Sequence, residues 1–150
     1  MKGMVVALFL FGATMASAQD RVTLANQSHS LSESELAILS DQANAGSKEA
    51  AIRLSDRYFY DLTKGQQRKM RVKALEWALI GAENGSAESQ FQAYSLLSTS
   101  DERSKQIRAL FWLKQSAANG YVDAQVQLKS CPSIEARRLS GTPCFGSQSE

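Results

Sequence analysis

The sequence has few of the residues that most catalytic and metal sites need. Its 150 residues include one histidine, two cysteines, nine glycines and two prolines. So few imidazoles and thiols leave little to bind a metal, and we expect no metal site and no other cofactor. The scarcity of glycine and proline argues against a β-sandwich rich in turns and favours long helices.

The chain also lacks a strong charge of one sign and a long apolar run. Seventeen lysines and arginines stand against 15 acidic residues, a net charge of +2. This balance produces no strong field, so we do not expect binding to nucleic acid. A transmembrane helix needs about 20 apolar residues, but the run Met4–Phe11 ends after eight. We therefore expect no stable membrane insertion.

What the N-terminus does contain is typical of an export signal. Lys2 precedes the apolar run, and the small residues Ala16-Ser17-Ala18 follow it. This pattern predicts cleavage after Ala18, with an uncleaved anchor as the alternative. We interpret residues 1–18 as a signal peptide and residues 19–31 as a flexible arm.

Export changes the interpretation of the two cysteines. Cys131 and Cys144 lie 13 residues apart near the C-terminus, and in an oxidising compartment such a pair predicts a disulfide. The bond would close a tail over residues 132–150 and contribute about 3 kcal/mol in the entropic treatment. A redox pair is the alternative, but the cysteines do not form the C-x-x-C motif typical of that chemistry.

Three similar phrases, each closed by a glycine, indicate an internal repeat. Their glycines are 39 and 35 residues apart, an alanine stands three residues before each, and a tryptophan stands eight residues before the second and third. The repeat residues are Gly46, Trp77, Ala82, Gly85, Trp112, Ala117 and Gly120. A glycine that ends one helix, with small residues on both sides of it, predicts a closely packed helical hairpin.

Apolar residues recur at helical spacing throughout the repeat region, which predicts an all-α chain. Ser32 and Glu35 form a capping-box pattern at the start of the first helix, with Leu31 and Leu36 placed to pack around it. The expected helices span residues 32–45, 48–61, 67–84, 87–98, 104–118 and 121–130.

The phrases ALEWALIGAENGSAESQFQAYSLL and ALFWLKQSAANGYVDAQVQL resemble Sel1-like repeats, a subclass of tetratricopeptide-like sequences. The resemblance covers about residues 35–131, and Ser89, Ala93 and Tyr94 depart from its usual residues. It implies a right-handed α-solenoid of about three helix-turn-helix repeats over residues 32–131.

The resemblance implies a binding scaffold and no enzyme. Sel1-like proteins act mostly as adaptors, and some are periplasmic immunity proteins that neutralise phospholipase effectors of type VI secretion. We expect this second role here, with a toxin as partner. An envelope adaptor or assembly factor for a secretion, motility or polysaccharide-export complex is the alternative. Both interpretations place the protein in the periplasm.

The residues themselves give no enzymatic signature. The sequence has no G-x-S-x-G, no H-E-x-x-H and no glycine-rich phosphate loop, and His29 lies in the polar arm. Glu76 and Glu83 lie seven residues apart on one helix, but exposed helix charges explain them better than a catalytic pair.

Candidate partner contacts come from charge and from aromatic residues. Residues 64–73 hold five cations and no acidic residue, which predicts either a solvated loop and first helical turn or a basic patch that meets an acidic partner. Large rings dominate many interfaces, although each of these could equally belong to the core. The candidates are Arg68, Arg71, Lys73, Tyr60, Tyr94 and Phe111.

Overall fold

A computed structural model describes residues 31–61 and 65–130 of the chain. The predicted signal peptide, the arm up to residue 30 and the predicted Cys131–Cys144 disulfide with its tail lie outside the described residues.

Within the described ranges the chain is entirely helical, which confirms the all-α prediction. Every predicted boundary lies within two residues of the observed one. Three helical hairpins follow one another: α1 with α2, α3 with α4, and α5 with α6. The helices are α1 Glu33–Asn44, α2 Lys48–Phe59, α3 Gln67–Glu83, α4 Ala87–Ser98, α5 Arg103–Ala118 and α6 Val122–Lys129.

A glycine with positive φ makes the turn inside each hairpin, as the repeat predicted. Gly46, Gly85 and Gly120 have φ values of 99°, 81° and 87°. At the middle turn Gly85 N donates to Ala82 O at 3.0 Å, and Ser86 N donates to Gly81 O at 3.0 Å. These two bonds form the Schellman arrangement, in which glycine adopts the left-handed conformation without a steric cost.

The core consists of three clusters along the series of hairpins. The first lies between α1 and α2 and includes Leu39, Ala43 and Leu54, with Trp77 of α3 packed against it. The second is formed mainly by alanines of α3 together with residues of α4. The third joins α4, α5 and α6. Leu75 and Trp112 pack against both the second and the third cluster, so these two residues connect neighbouring hairpins.

Gly81 permits the closest approach between helices. A Cβ atom added there would lie 2.4 Å from Ser89 Oγ and 3.2 Å from Ala51 Cβ. These distances are shorter than ordinary packing contacts, so α3 can lie against both α2 and α4 only because residue 81 has no side chain.

The same side-chain hydrogen bond recurs in the last two hairpins. Gln90 Nε2 donates to Ala82 O, and Gln125 Nε2 donates to Ala117 O, both at 3.1 Å. Each glutamine follows its turn glycine by five residues. The two turns are therefore stabilised in the same way, which gives the repeat a physical basis beyond its apolar pattern.

Candidate partner-binding site

The hairpin topology brings four helix ends to one edge of the protein. Because successive helices run in opposite directions, the N-termini of α3 and α5 lie beside the C-termini of α2 and α4. Arg68 and Arg71 of α3 and Lys105 of α5 meet there around one cavity. We call these three residues and the helix ends that carry them the basic edge.

The cavity at the basic edge has a volume of about 330 Å³. Four apolar side chains line part of the cavity, which we call its floor, and four polar or charged side chains line the rest. The floor residues are Val72, Leu75, Leu96 and Leu97, and the surrounding residues are Arg68, Arg71, Ser100 and Lys105. The cavity lies above the junction of two core clusters, since Leu96 belongs to the second and Leu97 to the third.

Two of the three cations are held by short contacts. Arg71 Nη2 donates to Thr99 Oγ1 at 3.1 Å, and the Thr99 hydroxyl donates to Leu96 O at 3.2 Å. Lys105 Nζ lies 2.7 Å from Glu102 Oε1. Glu102 thus offsets part of the charge on the α5 side, and the positive field of the cavity comes mainly from α3.

The starts of α3 and α5 differ from those of the other four helices. Those four each have an acidic residue in the first turn, namely Glu33 and Glu35, Glu49, Glu88 and Asp123. The first turns of α3 and α5 have none. Neither helix has a side-chain cap, a feature that they share with α6. Free amide groups at a helix start carry partial positive charge, which adds to the nearby cations. The basic edge therefore favours an anionic partner.

The structure brings together two of the predicted contact residues. Arg68 and Arg71 are both exposed and line the cavity. Lys73, the third predicted cation, does not reach it: this residue is partly buried, and its Nζ lies 4.9 Å from the centre of the Tyr58 ring. Its cation–π contact connects α3 to α2 instead.

Tyr94 requires a correction. Its ring is only 6 % exposed and belongs to the third core cluster, near the rings of Phe91 and, through Phe91, Tyr121. Burial raises the pKa of Tyr94, and a hydrogen bond with Gln127 partly opposes that rise. Tyr94 therefore acts as a packing residue and is not available to a partner.

The other two predicted aromatic residues are accessible but lie apart from the cavity. Tyr60 is 45 % exposed and packs edge-to-face on Phe59 with ring centres 5.0 Å apart. Phe111 is 52 % exposed and packs in the same way on Trp112. Tyr60 follows the end of α2, so it belongs to the same edge of the protein as Arg68, whereas Phe111 lies on the exposed face of α5.

Sequence reasoning missed Lys105 and the apolar floor of the cavity. Lys105 is 32 residues from the basic stretch that ends at Lys73, so only the hairpin topology brings it near Arg71. The glutamines at the turns were also missed. A signal for them was present, because Gln90 and Gln125 occupy equivalent positions 35 residues apart.

Comparisons with family models, curated proteins and solved structures find no match to this chain. In residues 31–61 and 65–130, no helix has both the length and the apolar character needed to cross a membrane. The same ranges contain no group of three or more histidine, cysteine or acidic residues that could hold a metal ion. The cations around an apolar cavity are suited to binding an anionic, partly apolar group.

Proposed function

We propose that this chain is an exported protein–protein interaction module built as a right-handed α-solenoid of three Sel1-like hairpins. Successive hairpins that share core residues, together with repeated turn hydrogen bonds, support the solenoid. The signal-peptide pattern supports export to the periplasm. A structural disulfide between Cys131 and Cys144 is part of the same proposal.

One observation carries the binding role. The cavity at the basic edge combines exposed arginines with an apolar floor, a combination that recognises the acidic and apolar parts of a protein surface together. Arginine is favoured at interfaces because its planar guanidinium pairs with a carboxylate through two hydrogen bonds. We propose no catalytic residue and no cofactor for this site.

The specific function we propose is immunity: the protein binds and neutralises an antibacterial, phospholipase-type secretion effector in the periplasm. The resemblance to Sel1-like repeats supports the class of partner, and the basic edge supports an acidic contact surface on that partner. Neutralisation by binding needs no chemistry from this chain.

A sibling co-culture experiment tests the immunity function. Cells that lack this protein should be killed by siblings that carry an effector encoded next to it, and the wild-type chain should restore survival. The Arg68→Glu/Arg71→Glu variant should fail to restore it, whereas the control Lys69→Glu, on the same helix but outside the cavity, should succeed. Deletion without any loss of survival would reject the immunity function.

A second candidate is the envelope adaptor, which one observation favours. Ile107 and Phe111 lie one turn apart on α5 and are each 52 % exposed, so the chain has a second apolar surface away from the cavity. An adaptor binds two partners at once. Affinity capture from periplasmic extract should then recover two proteins, one lost with Arg68→Glu/Arg71→Glu and the other with Phe111→Ser.

A further inference from the structure

We infer that the cavity at the basic edge binds an acidic peptide segment of the partner in which aliphatic side chains are flanked by carboxylates. This inference rests on the proposed function only in assigning the segment to a partner protein. The partner's aliphatic side chains would enter the cavity, and its carboxylates would pair with the arginines above the floor.

The size and the apolar floor of the cavity determine which apolar groups of the ligand can bind there. A volume of about 330 Å³ is near the lower end of typical ligand pockets, which begin at about 300 Å³. It therefore accommodates a few side chains rather than a whole domain. Val72 is 52 % exposed, so an aliphatic group placed against it removes apolar surface from water.

The charged residues around the cavity determine where the carboxylates of the ligand lie. Arg68 and Arg71 are three residues apart on α3, so their side chains leave the helix on one face, about 5–6 Å apart at Cβ. Across the cavity, Lys105 is already paired with Glu102, and Asp101 adds a further carboxylate to the chain before α5. Carboxylates of the ligand therefore lie over α3 rather than over α5.

A phosphate backbone fits this arrangement less well than an acidic peptide. Nucleic acid binds through many phosphate contacts, and it would leave the aliphatic floor uncovered. An anionic membrane would use the positive charge, but a membrane surface is broad, whereas the apolar groups here line a cavity. Charge complementarity together with a small aliphatic floor favours a peptide, and a membrane becomes one outcome of the test.

The test uses the full-length protein and a labelled synthetic peptide with two central leucines flanked by glutamates. Two matched peptides replace the leucines with serines or the glutamates with lysines. Fluorescence anisotropy should detect binding of the first peptide, at least tenfold weaker binding of the serine peptide and no binding of the lysine peptide. In a separate measurement, vesicles that contain anionic phospholipid are added as competitors of the bound peptide.

Matched variants assign the binding to the cavity. Arg68→Glu should weaken binding of the glutamate–leucine peptide at least tenfold, whereas Lys69→Glu should change it less than twofold. Val72→Ser should weaken it severalfold, and Val122→Ser, at a residue 67 % exposed on α6, should leave it unchanged. All four substitutions are at exposed positions, and circular dichroism checks that each variant folds.

Several results would overturn the inference. Equal losses for Arg68→Glu and Lys69→Glu would mean that the overall charge, and not the cavity, attracts the peptide. Equal binding of the serine peptide and the glutamate–leucine peptide would reject the aliphatic part of the proposed ligand. Displacement of the bound peptide by vesicles, at a lipid concentration below that of the peptide, would favour a membrane. Failure of the co-culture test alone would reject immunity and leave the peptide site standing.

Discussion

The start of α1 is stabilised by side chains of its own first turn, whereas the starts of α3 and α5 are not. At the start of α1, Ser32 N donates to Glu35 Oε2 at 2.8 Å and Glu35 N donates to Ser32 Oγ at 3.3 Å, which forms a complete capping box. The starts of α3 and α5 have no side-chain cap and carry cations in place of acidic residues.

This difference indicates what holds each helix in place. A cap and first-turn acids stabilise a helix locally, and α1 packs less extensively against its neighbours than α3 or α5 does. The helices α3 and α5 lie between other helices, so tertiary packing can stabilise them without local start signals. Their first turns can therefore carry cations in place of stabilising acidic residues.

The largest expected effect comes from disturbing the packing of α3. Gly81→Val should lower the free energy of unfolding by about 2–3 kcal/mol, because the new side chain would overlap Ser89 and crowd Ala51. Chemical denaturation measures this change. Glu83→Val, at an exposed position of the same helix, should cost about 0.5 kcal/mol or less. Equal losses for the two variants would show that packing at Gly81 does not hold α3.

Removal of the Ser32 side chain tests whether the cap stabilises the start of α1. Ser32→Ala should lower the free energy of unfolding by about 1 kcal/mol, because the Glu35 amide loses its side-chain acceptor. Ser104→Ala in the uncapped first turn of α5 is the matched control and should have almost no effect. Hydrogen exchange at the first amides of α1 should rise in the first variant only.

A smaller effect of opposite sign is expected at the start of α3. Arg68→Glu and Lys69→Glu should each raise the free energy of unfolding by about 0.5 kcal/mol, since an acidic side chain interacts favourably with the helix N-terminus. Thermal unfolding at low salt measures the gain. Only Arg68→Glu should also lose the partner. Destabilisation by Arg68→Glu would contradict the view that Arg68 is retained for binding and not for stability.

The smallest effect is the pH dependence of α1. The hydrogen bonds from the side chain and then the backbone of Ser32 lower the pKa of Glu35. A carboxyl whose pKa is lower in the folded state stabilises the protein above its unfolded pKa, and that contribution is lost as the pH falls through the folded value. Glu35→Gln should therefore reduce the loss of stability on acidification, as measured by denaturation between neutral and acidic pH.

The helices were predictable because their signals are local. The turn glycines mark the ends of α1, α3 and α5, and the Ser32–Glu35 pair marks the start of α1, in agreement with the observed bounds. The exposure of Arg68 and Arg71 also followed from a polar first turn. None of these features depends on knowing how distant parts of the chain pack together.

The cavity and the burial of Tyr94 were not predictable for the opposite reason. The cavity needs side chains from three helices, and Leu96 and Leu97 join it only through the packing of α4 between α3 and α5. Tyr94 replaces a smaller residue of the repeat pattern, which suggested a surface role. Its ring instead fills space beside Phe91 in a core cluster, an arrangement that periodicity alone does not specify.

The two tryptophans lie in different parts of the core, so each can report on its own part of the protein. Trp77 packs against the core cluster of the first hairpin, whereas Trp112 packs against the two clusters that follow it. Each indole is therefore an intrinsic fluorophore for a different part of the chain. Single-tryptophan variants with phenylalanine at the other position would show directly whether the hairpins unfold together or one after another from an end.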